Sequence, residues 1–264
     1  KEDGSWDAPN NYQAGGTRNP KVGITSLATL AFLGAGYRAD SLHKYAKTIK
    51  SAVEFLVKEQ DEDGGLGIKS GSMYNHCIAT IALSEAYLVG GATQVKPNVE
   101  KAVRFILDAQ TFSKEGAWRY TPKAADADLS VAGWAIMAIK DAFYGKILAD
   151  EVKRSLDLAS KYVIQCEGKY TIKEAGFAFR WACPAIGVFC SALTGKLNDP
   201  WVKKGVGEIN NYDIREIDNY YAIYYINLAL FQIGGRVWED WNQDFRTTIV
   251  DKQNEDGSFK QMGN

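Results

Sequence analysis

The stretch Gln60-Asp-Glu-Asp-Gly-Gly-Leu66 recurs almost letter for letter as Gln253-Asn-Glu-Asp-Gly-Ser-Phe259, and once more, without the leading glutamine, as Lys1-Glu-Asp-Gly-Ser-Trp6. Two looser copies run from Gln110 to Glu115-Gly-Ala-Trp118 and from Gln165 to Glu167-Gly-Lys-Tyr170. The common pattern is Gln, two or more residues, an acid, Gly, one residue, then an aromatic or Leu. Self-similarity on this scale is the mark of a stacked-repeat architecture. The glycines at 4, 64, 116 and 168 are spaced to hold a helix, a turn, a second helix and a loop; the longer gap to Gly257 indicates a decayed copy.

Each phrase is followed by an Ala-rich segment apolar nearly all round: Gly23 to Gly36, Asn75 to Gly90, Asp128 to Tyr144, Ala182 to Gly195 and Asp218 to Gly234. That pattern predicts helices buried on every side. An amphipathic segment follows each of them. Ile49, Ala52, Val53, Leu56 and Val57 oppose Lys47, Lys50, Glu54 and Lys58, and Val99, Ala102, Val103 and Ile106 oppose Glu100, Lys101, Arg104 and Asp108. These spacings predict outer helices with one wet face. Glycines after the inner segments suit helix C-caps, while Pro97 and Pro200 suit helix starts. One hairpin cannot bury a helix that is apolar all round, so the hairpins must stack. The expected fold is all-α: a single domain over residues 1–264, an α/α toroid of about five inner and outer helix pairs, the fourth outer helix short.

The composition agrees with a globular chain: 46% hydrophobic and 24% charged residues, with 7 Trp and 14 Tyr. A formal net charge of -1, with Lys and Arg scattered, argues against nucleic acid or an anionic membrane surface as main partner. No segment has the apolar length of a membrane span, so an integral membrane protein is not expected. Cys77, Cys166, Cys183 and Cys190 form no CxxC pair and no regular framework, which leaves the redox compartment and localisation open. The abrupt start at Lys1, with no signal peptide visible, reads as a trimmed or mature fragment. Oligomeric state is not legible.

The Gln-to-aromatic phrase resembles the QW motif of squalene and oxidosqualene cyclases, and the helix grammar is similar to that of the terpenoid cyclase and protein prenyltransferase superfamily. Gly116-Ala-Trp-Arg-Tyr120, Asp126 to Trp134, and Tyr220-Tyr-Ala-Ile-Tyr-Tyr225 followed by Gly234-Gly235 resemble a bacterial branch of squalene-cyclase-like repeat proteins without settled activity. The resemblance implies that the phrase is structural, its Gln and aromatic tying one outer helix to the next inner helix. Leu66 and Phe259 stand where the motif has Trp.

In a toroid the parallel inner helices gather their N-termini at one mouth, where their dipoles favour carboxylates or a bound anion. Asn75, His76, Trp181, Tyr220, Asp126 and Asp128 fall at or just before those starts, and Arg119 and Arg180 lie in the loops leading to them. Asp126-Ala-Asp128-Leu129 is similar to the DxDD motif of class II terpene cyclases. Carried over residue by residue, Asp128 is the general acid and Asp126 its supporting carboxylate, but Leu129 replaces the last Asp. The alternative for Asp128 is a helix N-cap. The segment around His76 resembles the one that supplies a zinc His in prenyltransferases, yet this chain has no Asp-x-Cys pair, so no metal is expected and His76 reads as a buried, hydrogen-bonded residue. Trp134, Tyr220 and Tyr224 offer aromatic faces that suit an isoprenoid. No P-loop, dinucleotide fingerprint, HExxH or G-x-S-x-G occurs, and no cofactor is expected.

Three functions follow. The first is a toroid that holds an apolar or isoprenoid-like small molecule in its central cavity, through Asn75, His76, Arg119, Trp134, Arg180, Trp181, Tyr220 and Tyr224. The second is a terpene-cyclase-like enzyme with Asp128 as acid. The third is a non-catalytic repeat scaffold for a protein or polysaccharide.

Overall fold

The computed structural model describes residues 1–7, 20–68, 72–173 and 181–259. Among these there are ten α-helices and no strand. Two isolated antiparallel bridges, Gln60 with Leu66 and Gln253 with Phe259, each close one copy of the phrase. The described residues form two compact units, the first of residues 1–127 and 134–159, the second of residues 128–133 and 160–264.

In the first unit, helices α1 (Lys21–Gly34) and α3 (Met73–Leu88) are the apolar inner helices, and α2 (Ala46–Lys58) and α4 (Lys96–Gln110) the amphipathic outer ones. Most of α5 (Leu129–Tyr144) and the start of α6 (Ala149–Cys166) complete it. Helix α3 buries twelve of its sixteen residues, from Met73 to Ala86, as a helix without a wet face must. On α2 the buried set is Ile49, Ala52, Val53, Phe55 and Leu56: four of the five residues of the expected stripe, with Phe55 buried in place of Val57, which is half-buried. Helices α1 and α3 cross closely at Gly23, where an added Cβ would fall 2.6 Å from Asn75 Oδ1.

The second unit holds the first turn of α5, the end of α6, and helices α7 (Ala182–Leu193), α8 (Pro200–Ile209), α9 (Tyr220–Ile233) and α10 (Gly235–Asp251). At Gly133 an added Cβ would stand 2.7 Å from Ile186 on α7 and 3.1 Å from the Tyr225 hydroxyl on α9, so only glycine lets these three helices meet. Helix α8 is the short outer helix. It starts at Pro200, behind Asp199, whose carboxylate accepts from Trp201 N at 2.9 Å. Helix α10 begins directly after α9, at a turn on Gly234 with φ +70.

The phrase has a defined job in the first unit. Gln60 Nε2 donates to its own Gly64 O at 3.2 Å and to Asn98 O on α4 at 2.9 Å, while Gln60 Oε1 accepts from Asn98 Nδ2 at 2.8 Å. Gln110 repeats the arrangement one hairpin later. Its Nε2 donates to Gly116 O at 2.7 Å and to Ser155 O on α6 at 3.1 Å, and its Oε1 accepts from Ser155 Oγ at 2.7 Å. The glutamine therefore links one outer helix to the next outer helix, where the family resemblance implied an inner one. The aromatic or Leu of the phrase works on the other side of the seam: Trp118 Nε1 donates to Ile106 O at 2.8 Å, and Leu66 N donates to His76 Nδ1 at 3.0 Å. Gln165 is exposed and makes no such link among the described residues, so the fourth copy lacks the joint although its glycine keeps the repeat spacing.

These joints set an expected order of stability effects. Gln110→Ala removes three hydrogen bonds, two of them fully buried, and strands Ser155 Oγ, which costs about 2–4 kcal/mol in urea unfolding. Gln253→Ala touches only an exposed turn and costs less than about 0.5 kcal/mol. Equal losses at the two positions would contradict the joint.

Candidate functional site

Helices α9 and α10 meet along an incompletely covered seam. Trp241 is the one residue of α10 buried outright. Beyond it, Phe245 and Ile249 continue the apolar face of α10 at helical spacing, opposite Tyr220, Ile223, Tyr224 and Leu228 of α9. Phe259 closes one end, its ring 6.0 Å from that of Tyr220 in a T-shaped pair. The result is an open groove of about 520 Å³ in the second unit. Tyr224 is 37% and Phe259 42% exposed, so the aromatic faces are accessible along it.

Among the described residues no charged side chain lines the groove, and the one amide there is already committed. Asn227 Nδ2 donates to Ile223 O at 2.7 Å, and Asn227 Oδ1 accepts from Trp241 Nε1 at 3.2 Å. This pair holds α10 against α9 and takes the amide out of play for a ligand. What the groove offers is apolar and aromatic surface, of a volume usual for a small-molecule site. Of the residues expected to bind a ligand, Tyr220 and Tyr224 are the two that come together here; Phe245, Ile249, Leu228 and Phe259 were not foreseen. The i, i+4 series Trp241, Phe245, Ile249 was readable in the sequence as the apolar face of an outer helix.

The remaining candidates fall elsewhere. Asp126 is exposed and pairs with Arg119 at 3.4 Å, and the Arg119 guanidinium lies 5.6 Å from the Tyr120 ring centre. Tyr120 in turn packs on Tyr74 at 5.6 Å. Asn75 is buried against Gly23. Trp134 is buried in α5 and Trp181 is half-buried just ahead of α7. Arg180 lies outside the described residues.

Asp128 is fully buried at the start of α5. Its Oδ1 accepts from Val131 N at 2.9 Å and from Ser130 Oγ at 2.5 Å, the geometry of an N-cap that satisfies the first open backbone donors of the helix. Tyr170 O takes the next one, from Leu129 N at 2.8 Å. His76 is also fully buried, with both ring nitrogens engaged: Nδ1 accepts from Leu66 N, so Nε2 carries the proton and donates to Ala102 O on α4 at 3.0 Å. Its ring rests 4.6 Å from Phe105. Burial holds its pKa down at about 4, against an ordinary value of 6.5. His76 thus fastens the phrase to the outer helix and has no nitrogen left for a metal or ligand.

Two carboxylates that the sequence reading passed over stand near the ends of inner helices. Burial, reinforced by the charge of Glu85, pushes Asp141 on α5 well above the usual carboxylate range, and burial also raises Glu85 on α3. Neither forms an ion pair among the described residues. Among those residues no three His, Cys, Asp or Glu side chains gather as a metal site, the four cysteines are buried, and no helix is long and apolar enough to cross a membrane. Compared with known proteins, the chain matches no family model and no curated sequence.

Two measurements separate structural from chemical roles. The folded pKa of His76 lies below its unfolded value, so the unfolded chain takes up the proton first. Its contribution is complete above pH 6.5 and is lost as pH falls from 6.5 toward 4, by about 3 kcal/mol in all. The pH slope of unfolding free energy over that range should therefore be shallower in His76→Gln than in the parent; identical slopes would refute the assignment. For Asp128, replacement by Ala should lower stability by about 1–2 kcal/mol, and replacement by Asn, which keeps an acceptor, by clearly less. Urea titration of the pair checks the order, and equal losses would speak against a cap.

Proposed function

We propose that the chain is a binding protein for an apolar, isoprenoid-like small molecule, which lies along the α9–α10 groove against Tyr220, Tyr224, Leu228, Phe245 and Ile249. The observation that carries this reading is the groove wall itself: among the described residues it is aromatic and aliphatic on both sides, with the single amide there spent on Ile223 and Trp241. Such a surface gains by removing hydrocarbon from water and, among its described residues, has no group that would repay an anion for its lost hydration. In the same reading the hairpins belong to an α/α toroid of about five inner and outer pairs, of squalene-cyclase and prenyltransferase type. Support for this comes from the repeated glutamine joints and from inner helices packed on inner helices, α1 on α3 and α7 on α9.

The cyclase alternative is weaker for a physical reason. An acid that protonates an alkene needs a carboxyl held neutral and aimed at substrate. Asp128 spends Oδ1 on Ser130 and Val131 as a cap at the start of a helix, and Leu129 removes the third carboxylate of the motif.

The reading is tested by titrating farnesol, geranylgeraniol and their diphosphates into the protein and following its tyrosine and tryptophan emission. The alcohols should bind and the diphosphates should gain nothing from their charge. Leu228→Glu should weaken the alcohols at least ~10-fold with little change in thermal stability, because Leu228 lines open surface. No binding, or binding unaffected by Leu228→Glu, would sink the proposal.

A further inference from the structure

Helices α3 and α5 run side by side in the first unit. Near their starts, Met73 N donates to Tyr120 O at 2.9 Å in the loop that precedes α5, and the Tyr74 and Tyr120 rings pack together. At their ends, an added Cβ on Gly145 would stand 3.3 Å from Leu88 and 3.5 Å from Tyr87. The two helices are therefore parallel, and the level of their last contact is fixed. Residues three and four apart on a helix share a face. One turn before that contact, α3 presents Ser84 and Glu85, and α5 presents Asp141 beside Ala142.

These three polar side chains have no partner among the described residues. Ser84 is 1% exposed, and its hydroxyl reaches no hydrogen-bonding atom. The charge that acts on the Asp141 carboxyl is that of Glu85, and it is repulsive. Lys140, next to Asp141 in the chain, turns its ammonium over the Phe143 and Tyr144 rings instead, 5.3 and 5.2 Å from their centres. A hydroxyl and two carboxyls set without partners in otherwise apolar helices weaken the fold unless something binds them.

The surroundings select a cation with hydrocarbon attached. Glu85 and Asp141 each stand in the last turn of a helix, the end whose dipole favours positive charge. Among the described residues no third acid, His or Cys joins them, so a hard metal ion, which takes six or more oxygens, is poorly served. An alkylammonium, by contrast, brings three N–H donors to three oxygens. Leu88 and Tyr144 lie exposed at the edge of this level, one turn beyond the acids.

We propose that Ser84, Glu85 and Asp141 form a binding site for a primary alkylammonium group, which donates one hydrogen bond to each and lays its hydrocarbon chain against Leu88 and Tyr144. The site lies within the first unit and does not depend on a ligand in the α9–α10 groove.

The test is a titration of butylammonium chloride into the full chain, followed by the width of the amine's own proton NMR signals. Butylammonium should bind. Butan-1-ol, which has no charge, and N,N,N-trimethylbutylammonium, which has no N–H donor, should bind at least about tenfold more weakly. Asp141→Asn should weaken butylammonium at least about tenfold and Ser84→Ala about fivefold. Asp141→Asn removes a carboxyl that has no partner, so its thermal midpoint should not fall below the parent's. Should it fail to fold, Glu85→Gln takes its place with the same expected loss of binding. Nα-acetyl-lysinamide carries the same ammonium and chain on a peptide backbone. Tighter binding than butylammonium assigns the site to a lysine side chain of a partner, and weaker binding to a free amine. No binding of either amine, equal binding of the trimethyl derivative, or binding unchanged in Asp141→Asn overturns the site.

Discussion

The interaction on which the rest depends is a primary amide placed at the end of an outer helix. A carbonyl enclosed in the seam between two helices is expensive if it is left without a partner. One glutamine side chain, with two N–H groups and an acceptor oxygen, answers this in a single stroke: it closes its own loop on Gly64 or Gly116 and reaches a carbonyl of the next outer helix at Asn98 or Ser155. Because Asn98 and Ser155 each return a hydrogen bond to the amide oxygen, all three atoms' capacity is used. The spacing of one hairpin from the next is thereby set by a side chain of fixed length.

The elements packed around this joint follow from it. The glycine of the phrase must turn left-handed, φ +92 at Gly64 and +75 at Gly116, so that the chain can reverse beneath the next outer helix. The second residue after it must fill the seam, and Trp118 and Leu66 do so with one hydrogen bond each into the neighbouring elements. His76 belongs to the same seam, which explains why a histidine is tolerated at a site that holds it neutral. At the last hairpin the pattern is interrupted. Helix α10 keeps its apolar face, but only Trp241 is buried, and the surface left over is the groove.

Much of this was legible in the sequence because it is periodic. All five inner segments are helices, displaced by only a few residues, and the amphipathic outer stripes of α2 and α4 are buried where the 3.6-residue period put them. The cap at Asp128 was readable as one of two roles, since an acid ahead of an apolar run is the ordinary start of a helix. The partner of the glutamine was not readable, because Asn98 lies 38 residues away and nothing local marks it. The site was harder still. Tyr220 and Tyr224 were recoverable as an aromatic stripe, but their meeting with Phe245, Ile249 and Phe259 depends on the angle between two helices, which no spacing encodes. The carboxylates Glu85 and Asp141 did carry a signal, as charges inside otherwise apolar helices, and a search for broken periodicity would find them.

The most direct check of this account is the exchange of the glutamine side-chain amide protons with solvent, resolved by NMR on the intact chain. If the amides are structural joints, those of Gln60 and Gln110 exchange slowly and together with the backbone of the helices they link, while that of Gln253 exchanges as fast as a free carboxamide. Uniformly fast exchange at all three positions would contradict the claim that these side chains hold the hairpins in register.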